Sequence, residues 1–134
     1  MEREQERTMR GFVVLVVDDD PDNLELAAQI VESFGCGVLK AASCDDALAI
    51  LDSGAHVDLV FSDVVMPKTS GITLARLARE RNPGMPIVLA TGYPDAIDEV
   101  TDSGAIPLIK PYTVARLEAV FAEQLRVDSA PPSS

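Results

Sequence analysis

The chain has 134 residues, of which 47% are hydrophobic, 4% aromatic and 25% charged, and its formal net charge is −11. This length fits one packed domain with an aliphatic core, and the acidic balance argues against nucleic acid or anionic membrane as a direct partner. The lone His56 and two cysteines without metal spacing, Cys36 and Cys44, exclude a histidine or cysteine metal centre. Since no apolar run reaches membrane-spanning length, we expect a soluble cytoplasmic protein.

Polar segments flank the part of the chain with a regular apolar pattern. Residues 1–10 are polar and of mixed charge, which predicts a flexible N-terminal arm, and the Pro-rich residues 128–134 predict a disordered tail. Residues 11–127 are predicted to form a single domain.

Within this domain, short apolar runs alternate with segments of helical periodicity, which is typical of βα units around a parallel sheet. Strands are predicted at residues 12–17, 37–41, 57–61, 87–90 and 105–109. The predicted helices start at the Asp20 cap, at the Ser43 cap, at residue 71, at residue 94 and at the Thr113 cap. Five such units predict a doubly wound, flavodoxin-like α/β fold with strand order 2-1-3-4-5. Ligands then bind outside the carboxyl ends of the strands, at the switch point between strands 1 and 3.

Polar side chains follow four of the predicted strands. Asp18 and Asp19 follow the first strand, Asp63 follows the third, Thr91 the fourth and Lys110 the fifth. Three carboxylates in one crevice are costly without a cation, and oxygen ligands without histidine or cysteine favour Mg²⁺ or Mn²⁺. The set predicts a site for a divalent cation and a phosphoryl group.

The same residues divide into chemical roles. Asp63 precedes a turn-rich loop and can act as a nucleophile that forms an acyl phosphate, while Thr91 can hydrogen-bond one phosphoryl oxygen and Lys110 can neutralise another. Each has a structural alternative: residues 18–22 as a helix-capping cluster, Thr91 as a turn residue at a strand end, and Lys110 as a solvated surface lysine. Asp20 and Asp22 are assigned to capping.

Four segments carry a resemblance to the receiver domain of two-component response regulators: 14–20 (VLVVDDD), 58–67 (DLVFSDVVMP) with Gly71, 87–92 (IVLATG) and 108–111 (LIKP). The resemblance extends over residues 12–126. It implies that Asp63 accepts a phosphoryl group from a phosphohistidine on a histidine kinase or a histidine phosphotransfer protein. It further implies that Thr91 and Lys110 contact this group.

The resemblance also implies the metal ligands and one backbone feature. Asp18, Asp19, Asp63 and the backbone carbonyl of Val65 would hold Mg²⁺, directly or through water. The Lys110–Pro111 peptide would be cis.

The chain departs from this family at a signalling position. Many receivers carry an aromatic residue three positions before the lysine, where this chain has Pro107, and Tyr93 is the candidate that takes over part of the aromatic's role. The segment around Tyr93 resembles single-domain receivers of alphaproteobacteria and receivers fused to hybrid kinases. Val65 and Tyr93 would flank the approach of a hydrolytic water without orienting it, which predicts slow autodephosphorylation.

Partner docking is expected along the first helix and the loop after the fifth strand, with Asn23, Leu26, Ile30, Pro111 and Tyr112 as candidates. No separate catalytic or DNA-binding domain is predicted, so beyond its own phosphorylation and weak autophosphatase activity the protein is not expected to be an enzyme. Two alternatives stay open: a phosphorylation-independent pseudo-receiver scaffold, and a haloacid-dehalogenase-type phosphohydrolase with Asp18 as its nucleophile. The oligomeric state is left open.

Overall fold

Five parallel strands form one sheet in the computed structural model, which describes residues 9–66 and 70–126. The strands are β1 (Val13–Val17), β2 (Gly37–Ala41), β3 (Leu59–Asp63), β4 (Ile87–Thr91) and β5 (Ile106–Ile109). The helices are α1 (Pro21–Ser33), α2 (Cys44–Asp52), α3 (Gly71–Arg81), α4 (Ile97–Asp102) and α5 (Val114–Gln124), and a 3₁₀ turn (Pro94–Ala96) precedes α4. The strand order β2-β1-β3-β4-β5 confirms the predicted fold class.

Apolar layers cover both faces of the sheet. Because successive side chains of a strand point to opposite faces, Leu15 and Val17 belong to the layer that holds α2 and α3, whereas Val14 and Val16 belong to the layer that holds α1 and α5. Burial on both faces explains why the strands are continuous apolar runs rather than alternating ones. The sheet is a rigid support for residues at its carboxyl edge.

Side-chain caps fix where the helices begin. The Asp20 carboxylate accepts from the backbone N–H groups of Asp22 and Asn23, at 2.9 and 3.3 Å. The Ser43 and Thr113 hydroxyls accept from the N–H groups three residues later, both at 3.0 Å. These caps confirm the predicted starts of α1, α2 and α5. The cap at Asp20 begins α1 directly after the two acidic residues that follow β1.

The N-terminal boundary differs from the prediction. Met9, predicted to lie in a flexible arm, is only 1% exposed and belongs to the core layer shared with α1 and α5. Its thioether accepts from the Cys36 thiol at 3.9 Å, and its carbonyl accepts from the Phe12 N–H at 3.3 Å. The prediction failed because a single apolar residue within a charged segment carries no periodic signal.

Residues 1–8 of the predicted arm and the predicted tail, residues 128–134, lie outside the described residues. No helix within the described residues has the length and hydrophobicity that a membrane crossing requires.

Candidate functional site

A cavity of about 410 Å³ opens at the carboxyl ends of β1 and β3. Its polar end is lined by Asp18, Asp63 and Lys110. Its apolar wall comes from α1 and from the residues that follow β5, chiefly Leu26, Ile30, Pro111, Tyr112 and the half-buried Ala27. The predicted crevice at the switch point of the sheet is therefore present, and it joins three charged residues to an apolar surface.

Asp63 and Lys110 form an ion pair at the polar end of the cavity. Lys110 Nζ donates to Asp63 Oδ2 at 2.8 Å, and the two side chains are 42% and 16% exposed. The strand β4 lies between the two residues and holds the backbone on both sides, since the Val64 N–H donates to the Ala90 carbonyl at 2.9 Å and the Lys110 N–H donates to the Thr91 carbonyl at 2.8 Å. The phosphoacceptor candidate is thus a half-buried carboxylate whose position is set by backbone hydrogen bonds and a cation.

Asp18 contributes a second carboxylate to the cavity. Its Oδ1 accepts from the Asp20 N–H at 2.9 Å. Burial raises the pKa of Asp18, and the nearby charges of Asp63 and Asp19 raise it further, against the opposing effects of that hydrogen bond and of Lys110. The charged form is therefore disfavoured in this environment, and a bound cation would relieve the repulsion.

The donor chemistry fits a hard divalent cation. Asp18 and Asp63 line the cavity together, whereas Asp19 is exposed and is not among the lining residues. Across residues 9–66 and 70–126, no group of three or more histidine, cysteine or acidic side chains is arranged to hold a metal. Two carboxylates are nevertheless enough for Mg²⁺, which keeps several of its waters. The participation of Asp19 and of the Val65 carbonyl stays a prediction.

Thr91 is buried at the end of β4, and its hydroxyl accepts from the Tyr93 N–H at 3.0 Å. Thr91 therefore does stabilise the turn at the end of its strand, as the structural alternative proposed. It does not exclude contact with a phosphoryl group, because a hydroxyl that accepts one hydrogen bond still has its own hydrogen to donate. Thr91 is not among the residues that line the cavity.

Val65 and Tyr93 are both largely exposed, at 57% and 65%. Pro107 is half-buried in the edge strand β5, opposite Leu89. The backbone N–H groups of successive strand residues point alternately to the two sides of the strand. Because the Lys110 N–H points toward β4, the backbone nitrogen of Pro107, three residues earlier, faces the open edge of the sheet. A missing N–H costs no ladder hydrogen bond there. The fold accommodates the proline, and the signalling roles expected of Tyr93 and of the position of Pro107 stay predictions.

All five docking candidates line the cavity: Asn23, Leu26, Ile30, Pro111 and Tyr112. The Tyr112 ring packs edge-on against Phe61, with ring centroids 6.1 Å apart. The Lys110–Pro111 peptide is cis, as the resemblance implied.

Ser62 is a site residue that the sequence did not single out. It is 2% exposed, it lines the cavity, and its hydroxyl donates to the Asp63 carbonyl at 2.9 Å. The available signal was a lone small polar residue inside the apolar run that leads to Asp63.

Fold and site together define an α/β domain with two carboxylates and a lysine at the carboxyl edge of its parallel sheet, and comparison with known proteins identifies the class. The model of the response regulator receiver domain matches residues 14–122. The chain belongs to this family of two-component signalling domains.

Individual relatives agree with this assignment. The chain is 31% identical over 127 residues to the sensor kinase CckA of Brucella abortus, covering 91% of this chain and 13% of the kinase. A receiver domain structure from Clostridium thermocellum is 28% identical, with a TM-score of 0.81 and coverage of 86% of this chain and 94% of that one. The response regulator TrrA of Thermotoga maritima, in complex with Mg(2+)-BeF, is 27% identical, with a TM-score of 0.77 and coverage of 84% and 98%.

The curated relatives are longer proteins. The chain spans 19% of the transcription factor SKN7 of Saccharomyces cerevisiae and 51% of the probable transcriptional regulator ycf27 of Cyanidium caldarium.

Proposed function

We propose that this domain accepts a phosphoryl group on the Asp63 carboxylate from a phosphohistidine on a histidine kinase or a histidine phosphotransfer protein, in a Mg²⁺-dependent reaction. The observation that carries the proposal is the ion pair between Asp63 Oδ2 and Lys110 Nζ, 2.8 Å long, in a cavity that Asp18 also lines. Relatives that are sensor or hybrid histidine kinases, such as CckA and the hybrid signal transduction histidine kinase L of Dictyostelium discoideum, support a kinase as the donor.

The transfer is an in-line displacement at phosphorus. One Asp63 carboxylate oxygen attacks, the O–P bond forms, the P–N bond of the phosphohistidine breaks, and its electron pair stays on the leaving imidazole nitrogen. Lys110 neutralises charge on a phosphoryl oxygen, and the Thr91 hydroxyl donates a hydrogen bond to another. Asp18, Asp19, Asp63 and the Val65 carbonyl would hold Mg²⁺. When bound, this ion neutralises phosphoryl and carboxylate charge.

The partner docks beside the reacting carboxylate. Leu26 is 58% exposed and lines the same cavity as Asp63, together with Ile30 and Tyr112. An exposed apolar wall next to a reactive group supports docking of an apolar helix face there. Phosphorylation is then communicated through protein–protein contacts.

The phosphorylated state is long-lived. Hydrolysis needs a water in line with the acyl phosphate. Val65 and Tyr93, which we expect to flank its approach, are exposed and carry no carboxylate or amide to orient it. A Val65→Asn, Tyr93→Glu double variant should lose its phosphoryl group faster than the wild type, measured by the decay of the phosphorylated species. An unchanged decay rate would refute this part of the proposal.

Phosphorylation by acetyl phosphate tests the function. With Mg²⁺ the wild type and the surface control Asp45→Asn should gain one phosphoryl group by intact mass, while Asp63→Asn should gain none, and chelation should stop the reaction. A phosphoaspartate at Asp18 would instead favour the phosphohydrolase alternative. A wild type that stays unmodified would favour the pseudo-receiver scaffold.

A further inference from the structure

Gly71, the first residue of α3, lies against the backbone of Asp63. Its N–H donates to the Val64 carbonyl at 2.7 Å. A Cβ built on Gly71 would overlap the Asp63 carbonyl oxygen and would lie 3.1 Å from both the Asp63 carbonyl carbon and Val64 Cα. The start of α3 therefore approaches the peptide after Asp63 as closely as a residue without a side chain allows.

The requirement for glycine here is steric. Gly71 is not among the glycines with positive φ, which are Gly11, Gly35, Gly54 and Gly104. Gly104 offers a contrast, because a Cβ there would meet the Arg79 side chain, which can move. The atoms that face Gly71 belong to the backbone of the sheet and cannot move without moving Asp63.

Ser62 holds the same carbonyl group through a hydrogen bond. Its buried hydroxyl donates to the Asp63 carbonyl oxygen at 2.9 Å. The Asp63 carbonyl is thus fixed by a hydrogen bond from Ser62 and by van der Waals contact with Gly71. On the side-chain end, the same residue is fixed by Lys110 at 2.8 Å.

We propose that Gly71 and Ser62 are positioning residues that set where the Asp63 carboxylate stands relative to Lys110 and Asp18. The inference rests on the proposed function, because it concerns the geometry of the phosphoacceptor. A Cβ at residue 71 displaces the Asp63 backbone, and the carboxylate moves with it. A misplacement of about 1 Å at a reacting group lowers rates by about 100-fold.

Gly71→Ala tests the steric contact, and Gly84→Ala is its matched control. Gly84 has no positive φ, and the nearest atom to a Cβ there is Asn82 Oδ1 at 3.8 Å, an ordinary contact. The phosphorylation rate should be measured against acetyl phosphate concentration, and the folded fraction of each variant by urea denaturation. We expect the maximal rate of Gly71→Ala to fall about 100-fold, more than its folded fraction explains, while Gly84→Ala keeps the wild-type rate.

Ser62→Ala tests the hydrogen bond, and Ser103→Ala is its matched control. Ser103 is also buried, and its hydroxyl donates to the Val100 carbonyl at 2.6 Å, remote from Asp63 in the fold. A merely structural role predicts that both variants lose stability and neither loses phosphorylation rate per folded molecule. A positioning role predicts that only Ser62→Ala loses rate per folded molecule.

The outcomes separate this inference from the proposed function. If the wild type is not phosphorylated at Asp63, the proposed function has failed. If the wild type is phosphorylated and Gly71→Ala reacts at the wild-type rate per folded molecule, the positioning role is refuted while the proposed function stands.

Discussion

The ion pair between Lys110 and Asp63 offers a sharp test of chemistry against stability. Lys110→Met keeps an unbranched side chain of similar length but removes the ammonium that lies 2.8 Å from Asp63 Oδ2. In the proposed transfer this ammonium also neutralises a phosphoryl oxygen. Its loss therefore removes a preorganised charge from the place where the phosphoryl group reacts.

The two expected effects differ in size. Removing one preorganised group that stabilises the transition state costs about 100-fold to 1,000-fold in rate. The Lys110 side chain is 42% exposed, so solvent screens the pair and its loss should lower the free energy of unfolding by no more than about 1 kcal/mol. A large rate effect with a small stability effect is the signature of a functional lysine.

The measurement combines phosphorylation kinetics with urea denaturation. Lys40→Met is the matched control, because Lys40 Nζ lies 2.9 Å from Glu25 Oε1 in an ion pair on the surface. It should phosphorylate at the wild-type rate. If Lys110→Met also reacts within about twofold of the wild type, an effect too small for a lost transition-state contact, the role of Lys110 is refuted and it is only a surface lysine.

Three further predictions concern Asp18, Met9 and Cys36. Asp18→Asn should raise the free energy of unfolding in Mg²⁺-free buffer at pH 7. The pKa of Asp18 is raised in the folded protein, so its charge is unfavourable at neutral pH, and the gain in stability should vanish as the pH falls below the ordinary aspartate pKa of 3.8. A loss of stability in Asp18→Asn at pH 7 would contradict this prediction. Met9→Ala should lower the free energy of unfolding by about 2 kcal/mol or more in urea denaturation, whereas a domain that begins at residue 11 predicts no change. Burial, with a smaller effect of Asp58, raises the pKa of Cys36 to about 11. Alkylation of Cys36 at pH 8, followed by peptide mass analysis, should therefore be about 100-fold slower in the folded protein than in the unfolded chain. Equal alkylation rates would refute this prediction.

The positions of the catalytic candidates were predictable because each stands at the end of an apolar run. Parallel strands bring their carboxyl ends to one edge, so the runs before Asp18, Asp63 and Lys110 were enough to predict that these residues meet. The caps at Asp20, Ser43 and Thr113 were predictable for a similar reason, since a cap depends on residues three positions apart.

Contacts between residues that are not neighbours in a pattern were not predictable. Met9 is buried through its packing with α1 and α5, and no apolar pattern in the neighbouring sequence indicates this contact. The close approach of Gly71 to Asp63 depends on how α3 packs against the sheet. From the sequence alone, a glycine at the start of a helix is equally consistent with an ordinary turn residue. The 3₁₀ turn before α4 is likewise a local choice of hydrogen bonds within a segment predicted as one helix.

The location of the phosphoaspartate decides whether Asp63 is the phosphoacceptor of this domain. The wild-type protein should be phosphorylated with acetyl phosphate and Mg²⁺, the acyl phosphate trapped by borohydride reduction, and the modified residue identified by peptide mass spectrometry. We expect modification at Asp63 alone. Modification at Asp18, or a protein that folds and takes up no phosphoryl group, would contradict it.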